Sequence, residues 1–171
     1  MGNKRFNRKD QVLMAVWAAD SAKRVLPYYE RKHPGDERPG NAIKALRKWI
    51  RTGVFSMAEI RKASLDAHAA ARKAVNNKPA CFAARLAGQA VATAHVAMHA
   101  YGAAYYAIKV MAEIDPGNAS RKISGELAWQ TRQIPSRLRP AWRLWYSRFI
   151  PKNLLRHCRV VPGARIVRVD R

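Results

Sequence analysis

The sequence predicts an all-α protein, a bundle or orthogonal array of about six to seven helices, and three observations carry that expectation. Apolar residues recur at helical spacing from about residue 10 to residue 149, with no alternating strand pattern before the last stretch. Caps, glycines and prolines punctuate this span at intervals of about one helix. Finally, 49% of the residues are hydrophobic and alanine supplies an unusual share of them. Alanine is the best helix former and buries little area, so such a core needs closely approaching helices. A chain of 171 residues has the size of one domain and no need of disulfides.

Residues 1–9 read as a basic N-terminal arm, 10–150 as the helical domain, and 151–171 as a basic, extended C-terminal tail. The first helix is expected over about Asp10 to Glu30, with Val12, Val16, Ala19, Lys23 and Leu26 on one stripe. Pro27 marks a kink or an end, because it lacks the backbone donor. The turn-rich stretch His33 to Gly40 follows. A second helix runs from Pro39 to near Arg51, with Ile43, Leu46, Trp49 and Ile50 inward, and Gly53 stops it.

Ser56 and Glu59 have capping-box spacing and open a third helix to about Val75, with Ile60, Ala63, Ala67, Ala70 and Ala71 inside. Ala80 to Ile114 is helix-permissive almost throughout, and a break is expected within 96–102. Asp115-Pro-Gly117 ends it, and Asn118 or Ser120 caps the next helix up to Ile134-Pro135. The last helix spans about Ser136 to Phe149. There Leu138, Trp142, Trp145, Tyr146 and Phe149 share one side, with Arg137, Arg139, Arg143 and Arg148 around the other.

Charge is the strongest compositional signal. Lys and Arg number 33 against 11 acids, a net +22. Residues 134–171 hold ten basic residues, nine of them Arg, and one acid. This excess implies an anionic partner: an acidic protein, DNA or RNA, or an anionic membrane. The planar guanidinium suits bidentate contacts to carboxylate or phosphate. Residues 87–112 are too interrupted by Gln89, His95, His99 and Lys109 for a transmembrane helix. The basic N-terminus lacks an apolar run, and Cys81 and Cys158 match no redox or zinc spacing. A cytoplasmic location is expected.

Three stretches resemble the Imm5-like family of immunity proteins from bacterial toxin systems. They are Arg38-Pro-Gly-Asn-Ala-Ile-Lys-Ala-Leu-Arg-Lys-Trp49, Arg61 to Arg72 with its Ala67-His-Ala-Ala-Ala-Arg72 core, and Ala83 to Ala100 continuing to Lys109. Trp129-Gln130 and Ile134-Pro135 fall where members carry a similar step. The resemblance implies an all-α protein that binds and neutralises a cognate toxin without catalysis or cofactor. The arginine- and tryptophan-rich end departs from the family pattern. It supplies the alternative reading, a nucleic-acid-binding protein that uses its C-terminal helix.

Candidate site residues fall into two groups. His95 and His99, four apart, would share a helix face, and His68 could join them in a polar pocket. Zinc is disfavoured, because Val96 stands where a catalytic glutamate would sit. Arg38, Arg137, Arg139, Arg143, Trp145 and Arg148 form the candidate partner-binding set. Asp36 and Glu37 read as helix-start acids rather than acid/base machinery, and Cys81 as a buried small hydrophobe. With no phosphate loop or nucleophile elbow, the reading is of a non-enzyme.

Overall fold

The computed structural model describes residues 6–151. They form an all-α array of seven helices: α1 (Arg8–Glu30), α2 (Arg38–Thr52), α3 (Met57–Lys73), α4 (Lys78–Ala92), α5 (His99–Ile114), α6 (Ala119–Gln133) and α7 (Arg139–Phe149). Short 3-10 turns precede α6 and α7. There is no strand among the described residues. The tail expected over 151–171 lies outside them from residue 152 on, Cys158 included, as do the first five residues of the arm.

The centre of the array is α4, which packs against α1, α2, α3 and α5. A helix touched by four others must be slim on every side. Ala80, Cys81, Ala83, Ala84, Ala87, Gly88 and Ala90 are all buried there. Close backbone approach thus replaces side-chain bulk, as the alanine content implies. Cys81 is buried at 6% exposure.

Helix ends follow local chemistry. Asn7 and Asp10 form a complete capping box at α1: Asn7 Oδ1 accepts from the Asp10 N–H at 2.9 Å, and the Asn7 N–H donates to Asp10 Oδ2 at 3.2 Å. The box expected at α3 is only half made. Ser56 Oγ accepts from the Glu59 N–H at 3.3 Å, but the Glu59 carboxylate turns to Lys48 Nζ at 3.0 Å. Gly53 ends α2 in the left-handed region at φ 69°, which favours glycine. Pro27 does not end α1, which continues to Glu30. The inward face of α1 is also rotated from the expected stripe. Met14, Ala15, Ala18, Ala22, Val25 and Tyr29 go inside, while Leu13 and Val16 stay partly in water. That face packs against α2, α4 and α5, mixing small residues with Met14, Trp17 and Tyr29.

The break between α4 and α5 falls at Thr93–Met98, at the edge of the expected window. A residue remote in sequence contacts it. The Gln11 side-chain amide on α1 donates to the Thr93 carbonyl at 2.9 Å and the Ala94 carbonyl at 3.0 Å, taking up carbonyls that the ended helix leaves free.

At the other end, α7 docks through Trp142, which is fully buried. Its ring meets Trp17 at 5.1 Å, nearly edge-on, and Tyr101 at 5.6 Å. Its indole N–H donates to Thr131 Oγ1 at 3.2 Å. Trp145 stacks on Trp142, and Phe149 remains exposed. Among the described residues, no helix is long and apolar enough to cross a membrane.

Candidate functional site

The three candidate histidines do not form one pocket wall. His95 lies in the break rather than on a helix with His99, is exposed, and stacks near Phe55 at 6.4 Å between ring centroids. His68 on α3 and His99 at the start of α5 are both part-buried against α4. Two glycines make that possible. A Cβ on Gly88 would stand 2.8 Å from His68 Nε2, and one on Gly102 would stand 2.7 Å from Gln89 Oε1. Gln89 Oε1 in turn sits 2.7 Å from His99 Nδ1, which puts the imidazole proton on Nδ1.

Both rings are held below the ordinary histidine pKa. Burial is the main cause for each, followed by Arg85 and Arg72 for His68 and by His95 for His99. At neutral pH they are neutral hydrogen-bonding and packing groups. No cluster of three His, Cys, Asp or Glu able to hold a metal exists among the described residues.

The candidate arginines are largely committed inside the protein. Arg38 forks onto Asp36, with Nε donating to Oδ1 at 2.7 Å and a terminal nitrogen to Oδ2. Tyr29 donates to the same carboxylate at 2.7 Å. The Arg38 hydrogen bond is the main reason that Asp36 lies well below the usual carboxylate range. Burial and the bonded Asp36 push the Tyr29 phenol up. This triad ties the α1 end to the α2 start.

Arg137 pairs with Asp10 of α1 at 2.7 Å. Arg139 donates to the Ile134 and Arg132 carbonyls at 3.3 and 3.1 Å, capping the end of α6. Arg143 is part-buried, with an Nε that has no partner among the described residues. Trp145 is part-buried and Arg148 is exposed. The set is therefore scattered: Arg38 sits at the α1–α2 corner, and the rest lie on or before α7.

A different surface gathers charge around a defined hollow. A cleft of about 790 Å³ lies between α1, the end of α5 and α6. At its base Glu126 is buried, with no exposed side-chain surface, yet ionically paired: Arg24 donates to Oε2 through Nε at 3.3 Å and a terminal nitrogen at 3.0 Å. Gln130 donates to Glu126 Oε1 and to the Ala104 carbonyl, each at 3.0 Å. The Gln130 carbonyl accepts from the Trp17 indole at 3.1 Å.

This network joins α1, α5 and α6 through buried polar groups, and it fixes the Arg24 guanidinium 4.3 Å over the Trp129 ring. Arg121, Lys122 and Arg132 stand exposed around the hollow and make no ion pair among the described residues. Met111, Ile114 and Tyr28 add apolar lining. Sequence reasoning passed over Arg24, Arg121, Lys122 and Arg132, and took Trp129-Gln130 only as a resemblance. The one available signal was Glu126, an acid at an inward helical position beside Ile123 and Leu127.

No curated protein and no solved structure shows a significant match to the chain. A family model does match, described as Imm-5 like putative immunity protein, over residues 4–137. The match takes in every helix from α1 to α6, including the whole cleft, and stops before α7. The chain therefore belongs to the Imm-5 like family of immunity proteins.

Proposed function

We propose that this protein binds a cognate toxin and neutralises it by occlusion, without catalysis and without a cofactor. The observation that carries this reading is the family match across residues 4–137. The partner's chemistry follows from charge. A chain of net +22 repels a cationic surface, so the toxin presents an acidic one. An inhibitor of this sign suits an effector whose exposed face is acidic better than a nuclease with a positive substrate groove. Action in the cytoplasm, where a toxin producer needs protection, goes with this reading.

Affinity capture from host lysate, with and without nuclease treatment, tests it. The expected outcome is one acidic protein, recovered regardless of nuclease and released as salt rises. That protein should be toxic alone and harmless when co-expressed with this chain. Recovery of many proteins that vanishes on nuclease treatment would instead support nucleic-acid binding through the basic surface.

A further inference from the structure

We infer that the cleft between α1, α5 and α6 is the docking surface, and that its occupant is an acidic segment of a protein partner bearing carboxylates beside apolar side chains. The inference rests on the immunity reading for the partner's identity, but its chemistry stands on the cleft alone. Charge comes first. Arg121, Lys122 and Arg132 make no ion pair among the described residues, although Glu126 at the base of the cleft and six acids elsewhere do. These three cations are therefore available to a ligand, whereas Arg38, Arg137 and Arg139 are spent internally.

The second argument is preorganisation. Arg24 is pinned from below by buried Glu126 and from the side by Trp129, yet its side chain keeps 39% exposure. A cation already held in place loses little entropy when a carboxylate arrives. Glu126 and Gln130 underneath are fully buried and hydrogen-bonded to each other.

The third argument separates a protein from a nucleic acid. The lining sets Arg24, Arg121, Lys122 and Arg132 beside Met111, Ile114 and Trp129, with Asp115 at the rim and the paired Glu126 at the base as its acids. One face of Trp129 is already covered by Arg24, which removes it as a platform for a base on that side. Mixed apolar and cationic lining matches acidic residues interleaved with aliphatic ones. A continuous phosphate backbone instead favours an unbroken basic track.

Fluorescence anisotropy on the full chain tests the inference. The probes are a labelled peptide of alternating glutamate and leucine, its glutamine counterpart, and a single-stranded oligonucleotide of equal charge. The Arg121→Glu/Lys122→Glu chain is compared with native protein and with Arg51→Glu/Arg61→Glu, an equal charge change on exposed positions of α2 and α3.

The acidic peptide should bind more tightly than the other two probes. Its affinity should fall about tenfold in the cleft variant and far less in the control. Equal binding of the glutamate and glutamine peptides, or equal loss in both variants, overturns the cleft. So does tighter oligonucleotide binding that the cleft variant abolishes, which would reassign the surface to nucleic acid. If a captured toxin binds the cleft variant as tightly as native chain, the immunity reading stands and the cleft inference falls. If the peptide results hold while no toxin is ever captured, the reverse is true.

Discussion

Two polar insertions interrupt the alanine-built core, and they are solved in opposite ways. At the α3–α4–α5 corner, His68, Gln89 and His99 are neutral groups fitted into space that Gly88 and Gly102 leave open. At the α1–α5–α6 cleft, a charged pair, Arg24 and Glu126, is anchored by Gln130 and opens to solvent under unpaired cations. In the first arrangement His99 is bonded to Gln89 and His68 lies against Gly88, so burial and close packing account for its residue types. The second leaves positive charge over after its internal bonds are made. What separates the two places is the charged pair at the base of the cleft, since both are polar and part-buried.

The largest way to break this comparison is to remove Arg24. Glu126 is fully buried and would be left as an uncompensated carboxylate, whereas Arg24 can reach water if Glu126 is lost. Arg24→Met should therefore destabilise by about 3 kcal/mol, more than Glu126→Met, with the double variant recovering part of the loss. Urea denaturation of the three chains measures it. Equal losses in the two single variants would mean that the pair is not charged-and-buried as described.

Next in size is Gly88→Ala at the neutral corner. The added methyl meets the His68 ring, which can swing outward, so the loss should be about 1 kcal/mol. In a His68→Ala background the same substitution should be close to neutral. Additive losses would show that the corner is limited by α3–α4 backbone spacing rather than by the ring.

How much of this was legible depended on whether its cause was local. Five of the six helix-to-helix junctions carry short-range signals, such as Gly53 after Trp49 or Asp115-Pro-Gly117, and these read correctly. The position of the α4–α5 break did not, because Gln11, on the first helix, takes the freed carbonyls of Thr93 and Ala94. His95 falls inside that break and so does not share a helix face with His99.

The internal bonds of the arginines were hidden for the same reason. Arg137 is an exposed-looking cation until Asp10, far back in the chain, is seen 2.7 Å away. Counting basic residues locates charge but does not say which charges are already used. The cleft was the least legible feature of all, since Arg24 and Glu126 are unremarkable until α1 and α6 are laid side by side.

A smaller effect separates the two regions by pH. His68 and His99 have depressed pKa values when folded, so above the unfolded value of about 6.5 both states are neutral and titration adds nothing. As pH falls through that value the unfolded chain takes up protons first, and stability is lost downward from there. Thermal melts between pH 7.5 and 5.5 should show a falling Tm for native protein and a flatter profile for His68→Gln/His99→Gln. An unchanged slope in the variant would place the acid sensitivity elsewhere.

The smallest expected effect is the most informative about the cleft. Arg121 and Lys122 occupy the first turn of α6, which contains no acid. Cations there oppose the helix dipole, and in a chain of net +22 they also add to self-repulsion. Replacing both by glutamate should therefore leave stability unchanged or raise it by about 0.5 kcal/mol, with the gain shrinking as salt rises. A destabilised variant would mean that these side chains hold the fold through contacts of their own. A stable variant that no longer binds acidic peptide would mean that the first turn of α6 carries positive charge against its own electrostatic preference. In that outcome, binding is the property which the placement serves.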